Sequence, residues 1–287
     1  MTINDLLNTG MNLLGKTDLA ILDCEVLLAH ILGVEREYLI SNFNENVDES
    51  MGKMYLNQVN QVRDGKPVAY ITNQKEFYGL DFYVDERVLI PRPDTELIVE
   101  KAINFVRNNF KGNRFNVLDL GTGSGNIAVA IAKTLFDEDM IEYIHALDIS
   151  DDAIEVAKEN VIQHGLEGKV NVTHSDLLEG IEDDVNYDVI VANLPYIGEI
   201  KHRCITKNVE KYEPKIALFG GEDGLMLYKK LFQQLSKKNI SWKMLIGEIN
   251  PEQVPDLKIL MNKYFIQPCE ILKDLAGMDR VFVIYNQ

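Results

Sequence analysis

Gly121, Thr122, Gly123, Ser124 and Gly125 follow directly on the apolar run FNVLDL and lead into the helix-like NIAVAIAKTL. Glycines let a main chain take unusual angles and let a ligand lie against it, while a helix start offers free N–H groups. Such a loop suits a nucleoside. A G-x-G-x-x-G dinucleotide fingerprint would need glycine at 126, where the chain has Asn126. The next apolar run ends in Asp148, placed to accept hydrogen bonds from two ribose hydroxyls. After the third come His174, Ser175, Asp176 and Leu177, where an adenine ring would lie. Asp176 could accept from an adenine amino group and Leu177 could cover its face; a loop acid beside a core leucine is the plainer alternative.

The fourth run, YDVIVAN, closes on Asn193, Leu194, Pro195 and Tyr196. In a doubly wound sheet the tips of the first and fourth strands flank the ligand crevice, so the two loops are expected to face each other. An amide or aromatic amine nitrogen is a poor nucleophile, because its lone pair is delocalised into the attached π system. It must be held with that pair aimed at the group it attacks. The side-chain oxygen of Asn193 and the main-chain carbonyl of Leu194 can accept its two N–H bonds, and the proline that follows biases Leu194 to an extended conformation. Tyr196 can stack on the planar group. Alignment then does most of the catalysis, with no metal required. G-x-G-x-G behind a Leu-Asp pair is similar to the loops of S-adenosylmethionine enzymes, whose sulfonium methyl would be the group attacked.

Placing these loops requires a sheet. From Arg114 onward, seven apolar runs (FNVLDL, IEYIHALD, KVNVTHSD, YDVIVAN, WKMLIGEI, YFIQPCEIL and RVFVIYN) alternate with amphipathic helices, which predicts an α/β fold with a mostly parallel sheet and helices on both faces. Pro268 demotes its strand to an edge or a bulge. Residues 1–72 read as a helical domain. Leu19, Leu22, Val26 and Ala29 form one core stripe, Met51, Tyr55, Val59 and Val62 another, and Asp18 and Asp48 are the expected caps. Residues 73–90, with aromatics about Gly79-Leu80-Asp81, suggest a hairpin linker, and 91–287 form the second domain. Two unequal domains suit 287 residues, at roughly 100 to 200 per domain.

Composition narrows the partners. No segment approaches the roughly 18 to 20 unbroken apolar residues of a membrane span, and the start MTINDLLNTG lacks a secretory pattern, so a cytoplasmic location is expected. Cys24, Cys204 and Cys269 lie too far apart in sequence for a zinc or redox motif. A formal net charge of -16 repels a phosphate backbone and counts against nucleic acid as substrate. The only notable basic cluster near the site is Lys201-His202-Arg203.

Four further segments, IPRPDTE from Ile90, DLGTGSGNIA, YEPKIALFGGEDGL from Tyr212 and LAGMDR from Leu275, complete a likeness across the chain. It resembles the HemK-type (PrmC-type) methyltransferases, which modify the glutamine of the Gly-Gly-Gln motif in peptide-chain release factors. The resemblance implies a helical domain that grips the release factor and a Rossmann-like class I methyltransferase domain that binds S-adenosylmethionine; a monomer is expected. It implies cofactor contacts from residues 121 to 125, Asp148, Leu177 and Asn193, and a glutamine pocket from Asn193 to Tyr196. Arg92 either contacts the substrate backbone or pins the linker through a carboxylate, while Asp94 and Thr95 could cap the helix that follows. One departure stands out: Leu194 replaces the family's usual first proline, which keeps the carbonyl but adds an N–H and a looser loop. Asn-Leu-Pro-Tyr also occurs in enzymes that methylate adenine in ribosomal RNA, so an adenine N6-methyltransferase acting on RNA or DNA is the alternative.

Overall fold

The structure, a computed structural model, describes all residues except 111–113, 137, 139, 202, 203, 268 and 287. Of the features noted above, Pro268 and two members of the basic cluster, His202 and Arg203, lie outside the described residues. The chain forms two compact units, residues 1–74 and 75–287.

In the first unit, apolar residues at helical spacing build α1 (Ile3–Leu14), α2 (Asp18–Leu32), α3 (Arg36–Ser41), α4 (Glu49–Arg63) and α5 (Val68–Thr72). Leu6, Leu27, Leu28, Leu39, Tyr55 and Val59 form their shared core. Asp48 caps α4 by accepting from the Ser50 N–H at 2.7 Å. Asp18 is not a cap: Thr17 accepts from the Ala20 N–H at 3.2 Å, and Asp18 occupies the first helical turn. The core face of α2 is also not the expected one. Leu19 is 67% exposed and Leu22 40%, whereas Ala20, Cys24, Leu27 and Leu28 are buried. This helix is apolar around most of its circumference, so spacing alone fits more than one face and packing selects between them.

A hairpin of β1 (Gln74–Phe77) and β2 (Leu80–Tyr83) follows, all but Gln74 in the second unit. Tyr78 and Gly79 both take left-handed backbone, φ 53° and 73°, the turn that matches strand twist. Phe77 and Phe82 are buried and meet edge to face, so these aromatics pack as expected. Next come α6 (Glu96–Asn109), β3 (Phe115–Leu120), α7 (Asn126–Leu135), β4 (Ile141–Asp148), α8 (Asp151–Gln163), β5 (Val170–His174) and β6 (Val189–Ala192). After them come α9 (Lys207–Tyr212), α10 (Met226–Leu235), β7 (Met244–Glu248), α11 (Val254–Tyr264), β8 (Cys269–Lys273) and β9 (Asp279–Tyr285).

All seven expected strands form one sheet in the order β5-β4-β3-β6-β7-β9-β8. The first five run parallel, and β9 is antiparallel to both its neighbours. Helices cover both sides, and β6 and β7 are accordingly buried at every residue, as a two-sided parallel sheet demands. Strand β8 is an edge strand. Leu120 pairs with Leu147 on one side and Ala192 on the other, which brings the carboxyl tips of β3, β4 and β6 level. The order reverses beside β3, where a crevice must open.

Candidate active site

Each half of the site is built on a strand tip. Past β3, Gly121, Gly123 and Gly125 all take positive φ, at 69°, 56° and 80°. A Cβ at Gly125 would lie 3.3 Å from that of Ala157 on α8, and one at Gly121 would lie 3.2 Å from Leu194 Cδ2. Side chains at these positions would therefore be strained and crowded, and the loop is held close to the main chain beside it. The Gly123 N–H donates to Asp148 Oδ2 and the Ser150 N–H to Asp148 Oδ1, both at 2.9 Å. A carboxylate has about four acceptor sites, so these two bonds leave it able to accept from a ligand as well. Burial raises the pKa of this carboxyl, opposed by those N–H bonds.

Beneath the loop sits an acid that sequence reading passed over as part of a strand. Asp119 is fully buried; its Oδ2 accepts from the Thr122 hydroxyl at 2.7 Å, while Oδ1 has no hydrogen-bond partner among the described residues. Burial pushes its carboxyl up to about 7 against the Thr122 bond, and the charge of Asp148 adds to the rise. Asn160 is the second omission. Its Nδ2 donates to the Ser124 carbonyl at 2.8 Å and the Tyr83 carbonyl at 3.0 Å, and its Oδ1 accepts from the Tyr83 N–H at 2.8 Å. One buried amide thus ties the glycine loop to the end of the hairpin.

Past β6, the Asn193 side chain donates through Nδ2 to Thr95 Oγ1 at 3.1 Å, and the Thr95 hydroxyl donates to Glu248 Oε2 at 2.6 Å. Thr95 therefore does not cap α6, which has no side-chain cap. Asp94 pairs with Arg280 at 3.3 Å instead. Tyr196 gives its hydroxyl to Glu248 Oε1 at 2.8 Å. Burial raises the Glu248 carboxyl above the usual range; the Thr95 and Tyr196 hydroxyls and the Arg280 charge oppose the rise, and Asp94 adds to it. Leu194 is 2% exposed, its side chain packed within the sheet's core cluster. In the same cluster the buried Tyr228 hydroxyl donates to the Ala192 carbonyl at 3.2 Å and to the Glu248 carbonyl at 2.6 Å.

One cavity joins the two loops: Gly121 to Ser124, Asp148, Asp176, Leu177 and Asn193 to Pro195 all line it. Gly125 stands outside its lining as the N-cap of α7. Tyr196 lines a second cavity, which shares Asn193, Leu194, Pro195 and Arg92 with the first. Asp176 is already ion-paired through Oδ2 to Lys230 at 2.5 Å. Leu177 holds a positive φ of 54°, a conformation costly for leucine and braced by the Ser175 hydroxyl, which donates to the Leu177 carbonyl. Arg92 pairs with the buried Glu213, which also accepts from the Ile90 N–H at 3.2 Å, so the carboxylate contact is in place while the guanidinium still borders both cavities.

Residues 5–72 match the PrmC N-terminal domain family and residues 97–212 the methyltransferase small domain family. The chain resembles the hMettl16 catalytic domain solved with an RNA hairpin, at 16% identity over 90% of each chain with a TM-score of 0.56. It also resembles the human METTL16 N-terminal domain solved with SAH, at 17% identity over 90% of this chain and 93% of that one, with a TM-score of 0.52. At such identities the likeness is one of fold. Sheet order, glycine cradle and domain match together define a Rossmann-like methyltransferase. The release factor glutamine methyltransferase of Clostridium acetobutylicum is 39% identical over 98% of this chain and 97% of its own, and that of Bacillus cereus 35% identical over 90% and 89%. The chain belongs to the release factor glutamine methyltransferase family. S-adenosylmethionine is the cofactor, and the residues fit it: two positive-φ glycines, Gly121 and Gly123, a two-oxygen acceptor in Asp148 and an apolar side chain in Leu177 line one cavity.

Proposed function

We propose that the protein methylates the side-chain amide nitrogen of a glutamine in a protein, namely the glutamine of the Gly-Gly-Gln motif of peptide-chain release factors. The observation that carries this reading is the fixed Asn193 amide. Because Nδ2 is engaged by Thr95, the oxygen is the end left to accept an N–H from the acceptor, at the edge of the cavity that also holds the glycine loop. With the Leu194 carbonyl as second acceptor, a planar NH2 group is oriented so that its lone pair faces the methyl. S-adenosylmethionine supplies an electrophilic sulfonium methyl; the protein supplies alignment, which can be worth several orders of magnitude in rate. Gly121 to Gly125, Asp148, Asp176 and Leu177 are assigned to the cofactor, Asn193 to Tyr196 to the glutamine, Arg92 to the substrate's border, and the helical residues 1–72 to gripping the release factor.

Purified protein is expected to transfer labelled methyl from S-adenosylmethionine to a cognate release factor, and not to one whose Gly-Gly-Gln glutamine is replaced. Label retained by the replaced factor would defeat the assignment. Asn193→Ala should lower kcat by about 10²-fold or more while S-adenosylhomocysteine affinity changes far less. The Asn-Leu-Pro-Tyr sequence supports adenine in nucleic acid as the competing acceptor, and label in RNA or DNA with none in the factor would favour it.

A further inference from the structure

The Asn193 amide has two ends of similar shape and opposite hydrogen-bonding sense, and only one is useful to an acceptor NH2. Something must choose between them. The choice is made by groups distant in sequence, on three separate segments: Asn193 after β6, Thr95 at the start of α6, and Glu248 at the end of β7. A threonine hydroxyl has one proton to give. That proton goes to Glu248 Oε2 at 2.6 Å, so towards Asn193 the Thr95 oxygen can only accept, which requires Nδ2 to face it at 3.1 Å and Oδ1 to face away. An ionised carboxylate offers no donor, so the chain of bonds runs in one direction.

We propose that Glu248, acting through Thr95, is a positioning residue that fixes the Asn193 amide with its oxygen towards the acceptor; this rests on Asn193 being the clamp of the methylated amide. Glu248 is 1% exposed, and a second donor, the Tyr196 hydroxyl at 2.8 Å, satisfies its other oxygen. The charged and titratable groups around it are Arg280 on β9, Asp94 before α6, Tyr196, and Tyr228 on α10. Arg280 favours the carboxylate and is itself paired with Asp94 and Asp274, while Asp94 opposes it. Placing a donor at position 248, by protonation or by substitution, lets Thr95 accept there and donate to Asn193. The amide then turns over, and its NH2 confronts the NH2 of the acceptor.

The test uses the full chain, S-adenosylmethionine and a release factor. Glu248→Gln should reduce kcat about 10²-fold, the scale of a misplaced reacting group. The KM for the factor and the affinity for S-adenosylhomocysteine should stay within about two-fold. Wild-type kcat should fall on acidification through an ionisation above the ordinary glutamate range, and Glu248→Gln should lack that limb. Thr95→Val should resemble Glu248→Gln and Thr95→Ser should resemble wild type, a contrast that survives if Glu248→Gln folds poorly. A factor labelled equally by wild type, Glu248→Gln and Thr95→Val, with the acid limb unchanged, overturns the positioning role alone. A factor left unlabelled by wild type overturns the acceptor assignment and this role with it.

Discussion

At the scale of single residues, what could be read from sequence was what lies contiguous in it. The glycine loop and Asn193 to Tyr196 announce themselves because each is a short run whose chemistry depends on its neighbours. Thr95, Glu248 and Asn160 could not be read this way: their partners stand 98, 153 and up to 77 positions away. Asp119 was hidden differently, since an acid in an apolar strand reads as an anomaly until its burial is known. Its titration has a consequence for stability. The folded value of about 7 lies above the ordinary 3.8, so the folded state holds a proton that the unfolded chain releases. Its stabilising share is complete below about pH 4 and is lost as pH rises through about 7. Asp119→Asn should therefore gain stability relative to wild type between pH 4 and pH 8, read from denaturant midpoints. Parallel pH profiles for the two proteins would mean that Asp119 does not titrate in this range.

Whole elements were legible wherever one periodicity dominated. All seven strands of the sheet follow from apolar runs between helical stretches; the pattern is plainest in β3, β6 and β7, because a strand buried on both faces has no polar side to confuse it. Helix α2 misled for the same reason: apolar on most sides, it gave no single face, and tertiary packing buried Cys24 and Leu27 rather than Leu19 and Leu22. How one element holds another was not readable at all. The grip of α8 on the glycine loop passes through Asn160, whose hydrogen bond to Ser124 is buried and whose two to Tyr83 are partly buried. Asn160→Ala leaves those main-chain groups without partners, at a cost of about 1–3 kcal/mol in unfolding free energy. Because Ser124 belongs to the cradle, calorimetric affinity for S-adenosylhomocysteine should fall as well. A lower midpoint in urea with cofactor affinity intact would show that Asn160 supports the fold without shaping the site.

For the molecule as a whole, net charge bears on two acceptors that the proposed local chemistry would treat alike. A glutamine amide and an adenine amine both present a planar NH2, and the clamp proposed at Asn193 would suit either. The net charge is -16, and the imbalance is not confined to one part of the chain: the first 74 residues alone hold five Lys or Arg against ten Asp or Glu. A polyanionic acceptor would have to be bound against this field, with affinity drawn from released counterions and falling about 10³- to 10⁵-fold between 50 and 200 mM salt where six to ten phosphates are contacted. A protein acceptor needs no such term. Excess RNA or duplex DNA added at 50 mM salt should therefore leave the rate of methyl transfer to a release factor within about two-fold of its value without them, and the label should stay in protein. Strong inhibition relieved by salt, with label passing into the nucleic acid, would mean that local basic groups outweigh the global charge and that adenine is the acceptor the Asn193 clamp serves.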